Sequence, residues 1–212
     1  MTFATDIDLL HWEPNLVKEA TFVSQTLLAT TGDLSGTTLT ISGSSFVDAE
    51  VTGENIIYIG GAIDGTFPIV EVNSSTQLTL SVLYDKLFND PATPGRGGPD
   101  ATGVDFAIRT FWPQRQVVSD LILQAAGLDP GDAQKILNPL VLKRACVLGT
   151  LQMIYNALAA AATESSFFAA RARFYEQLYK RSLRSARVEL DLNGDGQIDS
   201  VRALNCITLI RG

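Results

Sequence analysis

The sequence predicts an α+β protein: an antiparallel helical bundle with an inserted small antiparallel β-barrel or sandwich, followed by a C-terminal β-hairpin and arm. Three observations predict it. Residues 32–81 alternate apolar and polar side chains between turns rich in glycine and serine. Residues 114–187 carry apolar side chains at steps of three and four. Residues 191–199 read Asp-Leu-Asn-Gly-Asp-Gly-Gln-Ile-Asp, a turn-forming run with extended-looking flanks. At 212 residues, 46% apolar and 18% charged, the chain can bury a core without disulfide or metal staples.

Taken in order, residues 1–30 form an N-terminal segment in which Pro14 to Leu28 predicts a helix that joins the bundle. Residues 31–109 form the β-rich insertion. Its strands are Thr37–Ile41, Ile56–Ile59 before Gly60-Gly61, Phe67–Val72 before Asn73-Ser74-Ser75, and Gln77–Val82. Short turns rather than helical crossovers divide them, which favours a barrel or sandwich. Pro68 cannot donate to a ladder and is expected at an edge or a bulge. Proline and glycine crowd Asn89 to Gly103, predicting a long loop, and Val104–Arg109 adds a strand. The bundle occupies residues 110–187, with helices over about 114–126, 139–162 and 164–187. The aromatic series Phe167, Phe168, Phe174, Tyr175 and Tyr179 reads first as core. Residues 188–212 supply the hairpin and arm.

Composition excludes several function classes. Sixteen basic residues against twenty-three acidic leave a net charge of −7, the wrong sign for a general nucleic-acid binder. Residues 1–108 hold three basic residues (Lys18, Lys86, Arg96) against fourteen acidic, and residues 109–212 hold thirteen against nine. Balances of −11 and +4 suggest separate modules or opposed surfaces. Charge alone favours two ordinary solvated faces, and the alternative is a negative face on one copy meeting a positive face on the next in side-by-side assembly. The longest apolar stretch, near Leu151 to Ala162, is too short for a membrane span, and no secretory signal is expected. Cys146 and Cys206 have no metal-ligand spacing, so an intracellular, reduced chain is expected. The single histidine, His11, has no relay motif around it, and an enzyme is not expected.

Two groups of residues carry candidate sites. In the 191–199 loop, Asp191, Asn193, Asp195, the Gln197 carbonyl and Asp199 fall where a hard cation would take its oxygen ligands, with Gly196 at the sharp turn. Arg202 stands where a helical calcium hand needs a bidentate acid, so the stretch resembles instead the calcium loops set between strands in β proteins. Bound calcium and a metal-free hairpin demand the same turn residues, and both readings stay open. Either way the site is structural, and no cofactor is required. The last helix carries Arg171, Arg173, Lys180, Arg181, Arg184 and Arg187 against Glu164 and Glu176. Cations are favoured at a helix C-terminus in any case, and the alternative is a face that docks an acidic protein surface or touches DNA in passing.

The order of motifs carries a family resemblance. It rests on Asp6 to Pro14, Gly53 to Leu80 with Gly65-Thr66-Phe67, Val72 and Thr76–Leu80, Thr110-Phe111-Trp112-Pro113-Gln114, Lys143-Arg144 through Tyr155, and Tyr175 through Arg211. So ordered, the chain resembles the head–tail connector (adaptor or head-completion) proteins of tailed bacteriophages and related gene-transfer particles. The β insertion is a departure, since many small connectors lack it. The resemblance implies a structural protein of the virion neck, assembled in the host cytoplasm. It implies a homo-oligomeric ring, commonly of twelve copies, that binds the portal protein, extends the DNA channel without specific DNA binding and docks a stopper or tail-completion protein. No membrane partner is expected. Lys180, Arg181, Arg184, Arg187, Arg202 and Arg211 are the implied portal-contacting residues. A tail-terminator or stopper ring, and a calcium-binding interaction module, are the alternatives.

Overall fold

The computed structural model describes residues 2–80, 100–161 and 166–204. The chain divides into two compact units, Thr5–Phe111 and Met1–Ala4 with Trp112–Gly212. The first is thus an insertion between residue 4 and residue 112 of the second.

The inserted unit opens with helix α1 (Asp6–Trp12). A capping box starts it: the Thr5 hydroxyl accepts the Asp8 amide while Asp8 accepts the Thr5 amide. Pro14 follows its C-cap, and the chain continues as a short helix α2 (Leu16–Glu19) and a 3₁₀ turn (Val23–Gln25). The helix expected over Pro14 to Leu28 is therefore not formed as such. Leu16 and Val17 are buried on the inserted unit, not in the bundle, and from Thr26 the chain is already strand. Leu27, Leu28 and Ala29 favour helix locally, but pairing to a strand some eighty residues later overrides that preference.

Six strands close a barrel: β1 (Thr26–Ser35), β2 (Thr38–Ile41), β3 (Ile56–Ile59), β4 (Gly65–Val72), β5 (Gln77–Leu80) and β6 (Ala101–Arg109). Their order is β1-β2-β5-β4-β3-β6, antiparallel throughout, with β6 returning to β1. Closure needs a bent strand. β1 supplies it through register shifts between Thr26 and Leu28 and between Gly32 and Leu34. Gly32 is required there, since a Cβ would lie 2.8 Å from the Thr40 carbonyl oxygen. Pro68 sits at the last β3–β4 pair, immediately before the irregularity between Ile69 and Glu71. The alternation seen in sequence becomes the interior: Leu34, Leu39, Ile41, Ile57, Ile59, Ile69, Leu78, Leu80, Phe106 and Ile108, plugged by Phe46 and Val51. The expected Asn89–Gly103 loop lies outside the described residues up to 99, and β6 starts at Ala101, earlier than the expected Val104.

In the second unit, α3 (Trp112–Ala125), α4 (Leu140–Ala161) and α5 (Ser166–Ser185) pack around α4. α4 and α5 run antiparallel: Tyr155 stacks on Tyr175 at 5.7 Å, while Gly149, further back, faces Tyr179. A Cβ on Gly149 would approach Val118 to 2.7 Å and Tyr179 to 3.0 Å, so this glycine lets three helices close on one another. Residues 2–4 belong to the same unit. The fully buried Arg115 holds them, donating to the Ala4 carbonyl (2.6 Å) and the Thr2 hydroxyl (3.2 Å), while the Phe3 amide donates to Ser119 Oγ. No helix among the described residues is long and apolar enough to cross a membrane.

The C-terminal hairpin pairs β7 (Arg187–Leu190) with β8 (Ser200–Ala203). β7 buries Val188 and Leu190 and borders residues 135–138 on its other side. There the Leu137 amide donates to the Glu189 carbonyl, and Asn138 bonds both Arg187 and Glu189. Of the expected arm, residues 205–212, with Cys206 and Arg211, lie outside the described residues.

Candidate functional site

The hairpin loop is built around two carboxylates. Asp191, only 7% exposed, accepts the Gly194 (2.6 Å) and Asp195 (3.3 Å) amides on one oxygen and the Gly196 amide (2.7 Å) on the other. Asp199 closes the far side by accepting the Leu192 and Asn193 amides, and Asp195 accepts the Gln197 amide. Gly194 and Gly196 both have positive φ (82° and 80°), which is why glycine occupies them. The Gly196 amide above all, helped by Gly194 and Asp195, holds the Asp191 carboxyl below the usual carboxylate range. Asp191, Asn193, Asp195, Gln197 and Asp199 are thus brought into one loop, but their carboxylates face backbone N–H groups. Among the described residues no three or more His, Cys, Asp or Glu side chains gather as a metal-holding group. The arrangement is that of a self-capped turn.

The second candidate is the outer face of α5. Ala172 and Tyr175 face inward, while Arg173, Phe174, Gln177, Lys180, Arg181 and Arg184 are exposed. Lys180 is bound to Glu176 at 2.6 Å, a favourable (i, i+4) pair with the acid on the N-terminal side. Arg171 is half-buried, donating to the Tyr155 hydroxyl and lying over the Tyr155 and Phe167 rings at 5.1 and 5.3 Å. Phe167 and Phe174 are more than half exposed, so this part of the aromatic series is surface rather than core. Arg187 begins β7 with its side chain exposed.

Arg202 is directed elsewhere. Its Nη1 donates to the Ala126 (2.5 Å) and Gly127 (3.2 Å) carbonyls, capping the C-terminal end of α3 and fastening β8 to it. A pocket of about 670 Å³ adjoins this clasp, lined by residues 124–127 and 201–203. The basic residues expected to act as one set therefore separate into an exposed α5 group and an internally engaged Arg202.

Three arrangements had no obvious motif in the sequence. Asp6 is fully buried and accepts the Phe111 amide (3.0 Å) and Asn55 Nδ2 (3.4 Å), tying α1 to the end of β6. Arg115, fully buried, binds the Thr2 hydroxyl and the Ala4 carbonyl. On the barrel surface Lys18 bonds both oxygens of Asp64 at 2.8 Å, and the Tyr58 hydroxyl donates to Asp64 at 2.6 Å. Only the Thr5–Asp8 capping box beside Asp6 was readable as a local signal. His11 is exposed. Cys146 is buried 3.4 Å from Ser119 Oγ, and burial pushes its thiol pKa up, away from the reactive thiolate. Compared with protein-family models, curated proteins and solved structures, the chain matches none.

Proposed function

We propose that this chain is a structural virion protein, a head–tail connector (adaptor) whose copies pack in a ring beneath the portal. The ring extends the DNA channel and docks a stopper or tail. The observation that supports this reading best is the division of exposed charge between the two units. On the barrel unit, Asp33, Asp48, Glu50, Glu54, Asp64, Glu71, Asp100 and Asp105 are exposed, and the exposed Lys18 is already bound to Asp64. On the helical unit, α5 exposes Arg173, Arg181 and Arg184 beside two aromatic rings. Such a chain acts through complementary surfaces, and its acidic surplus keeps DNA phosphates from sticking as they slide past.

The C-terminal arm from Ser200, with the basic end of α5 nearby, is the portal-directed element in this proposal. Truncation after Leu204, which keeps β8 and the Arg202 clasp, should leave a protein of normal helical circular dichroism that no longer joins portal-containing heads. Normal incorporation would remove the arm from the mechanism. Negative-stain imaging of particles labelled on this protein should place the label at the neck. A label displaced toward the tail favours the terminator or stopper, and no label on any particle ends the virion reading.

A further inference from the structure

Resting on that ring reading, we infer that the ring contact joins the α5 face of one copy to the 45–54 knuckle on the barrel of the next.

The knuckle is a preformed projection. Phe46 and Val51 are buried in the barrel, and the Val51 amide donates to the Phe46 carbonyl, fixing the loop at its neck. The Ala49 and Glu50 amides bond back to Ser45 and Val47, and the Asp48 amide bonds the Ser45 hydroxyl. At its tip Val47 is 59% exposed and is followed by the exposed Asp48 and Glu50, with Glu54 nearby in the chain. Glu50 is held at φ 54°, the left-handed region that glycine or asparagine would occupy at less cost. A charged side chain kept at a strained, exposed position points to a role outside the fold. No Lys or Arg occurs between Lys18 and Lys86, so no neighbour in that stretch of sequence neutralises these carboxylates.

The α5 face is the complement. Phe174 is 54% exposed next to the exposed Arg173, and the exposed Arg181 and Arg184 follow on the same side of the helix two to three turns on, while the only acid on α5, Glu176, is committed to Lys180. Each surface thus combines an exposed apolar side chain with exposed charges of one sign, and the signs are opposite. A small desolvated centre inside a charged rim is the usual anatomy of a specific contact. Because the two patches differ, the contact is heterologous, and repeating it with a closing rotation generates a ring. Duplex DNA also offers negative charge to α5, but it gives no role to the knuckle's strained Glu50 and exposed Val47.

Sedimentation velocity on the full chain tests this. At about 0.01 M salt, where charges act over about 30 Å, the wild type should self-associate with concentration. At about 1 M, where that reach is about 3 Å, it should dissociate. Arg173→Glu/Arg181→Glu/Arg184→Glu and Asp48→Lys/Glu50→Lys/Glu54→Lys should each be monomeric alone with unchanged circular dichroism. Mixed with each other, the reversed faces should not attract their wild-type partners but should pair together. Mixing either variant with the wild type should shorten the assemblies by capping one end. Glu50→Gly should melt no lower than the wild type yet associate at least about fivefold more weakly, a split that a merely structural Glu50 would not give. A wild type monomeric at low salt, association indifferent to both reversals, or α5-dependent retardation of duplex DNA without self-association would each overturn the docking. The two readings fail separately: an α5 variant that still forms neck rings sinks only the contact, and intact association by a protein absent from particles sinks only the virion role.

Discussion

The two units hide comparable apolar cores by opposite geometric means. In the barrel, contacts are non-local: β1 pairs with β6, and Thr26 meets Arg109 across the whole unit. In the helical unit, α4 and α5 are consecutive and fold back on one another. Each depends on a glycine, for different reasons. Gly32 lets a strand bend past a neighbouring carbonyl, whereas Gly149 lets α3 and α5 approach α4 at side-chain level. The surfaces diverge as well, acidic on the barrel and basic along α5. The difference shows where tolerance to change should lie. Barrel register is set by closure and fails as a whole, while the helical unit is set by shape at a few large side chains.

The largest effects come from breaking one core and watching the other. Tyr155 is fully buried and stacks on both Phe168 and Tyr175, so Tyr155→Ala should cost about 3–5 kcal/mol. Ile57, fully buried in the barrel, should cost about 2–5 kcal/mol on Ile57→Ala. Each unit carries one tryptophan, Trp12 in the barrel unit and Trp112 on α3. In a Trp12→Phe background the remaining fluorescence should report a midpoint lowered by Tyr155→Ala and unmoved by Ile57→Ala. A Trp112→Phe background should give the converse. One shared midpoint in both backgrounds would break the comparison and make the chain a single cooperative body.

Much of this architecture was legible because its signals are local. The period-two alternation from Thr37 to Leu80 gave the barrel strands, and the stripe of Ala145, Leu148, Leu151, Tyr155 and Leu158 gave α4. What escaped was decided by partners distant in sequence. Residues 26–28 read as helix until β6 pairs with them, and nothing local marks Arg115 as the buried partner of residues 2–4. Arg202 was assigned outward because nothing local says that the end of α3 lies beside β8. In the loop, the residues that ligate calcium are the residues that make Asx-type turns, so spacing alone could not choose between them.

That ambiguity can be sharpened at the hairpin. With Asp191 and Asp199 turned to backbone amides, we expect calcium to leave the melting temperature of the wild type unchanged and to release no heat in calorimetry. Asp191→Ala should loosen the hairpin with or without calcium, read as faster hydrogen exchange at Gly194 and Gly196. The Asp191 carboxyl is depressed, so its contribution is present above about pH 4, the unfolded value, and is lost as pH falls through the lower folded value. A calcium-dependent rise in melting temperature that vanishes in Asp191→Ala/Asp195→Ala would restore the cation.

The smallest effect belongs to the barrel surface, where Lys18 and Tyr58 converge on Asp64. Lys18, and then Tyr58, hold the Asp64 carboxyl below its ordinary value, and Asp64 in turn raises both Lys18 and Tyr58. The signs define a window. Asp64 contributes above about pH 4 and its contribution is lost as pH falls through its depressed folded value. Lys18 contributes below about pH 10 and its contribution is lost as pH rises through its elevated one. All three side chains are solvent-accessible, so screening should make the effect on stability small. Side-chain NMR titration should still find Asp64 titrating lower in the wild type than in Lys18→Met. Asp64 also sits at φ 42°, so Asp64→Gly should exchange the lost pair against relieved backbone strain. If Lys18→Met leaves the Asp64 titration where it was, the cluster is a surface coincidence. Restraint of the barrel's N-terminal helices then falls to Arg109, which donates to the Val17 carbonyl at 2.6 Å.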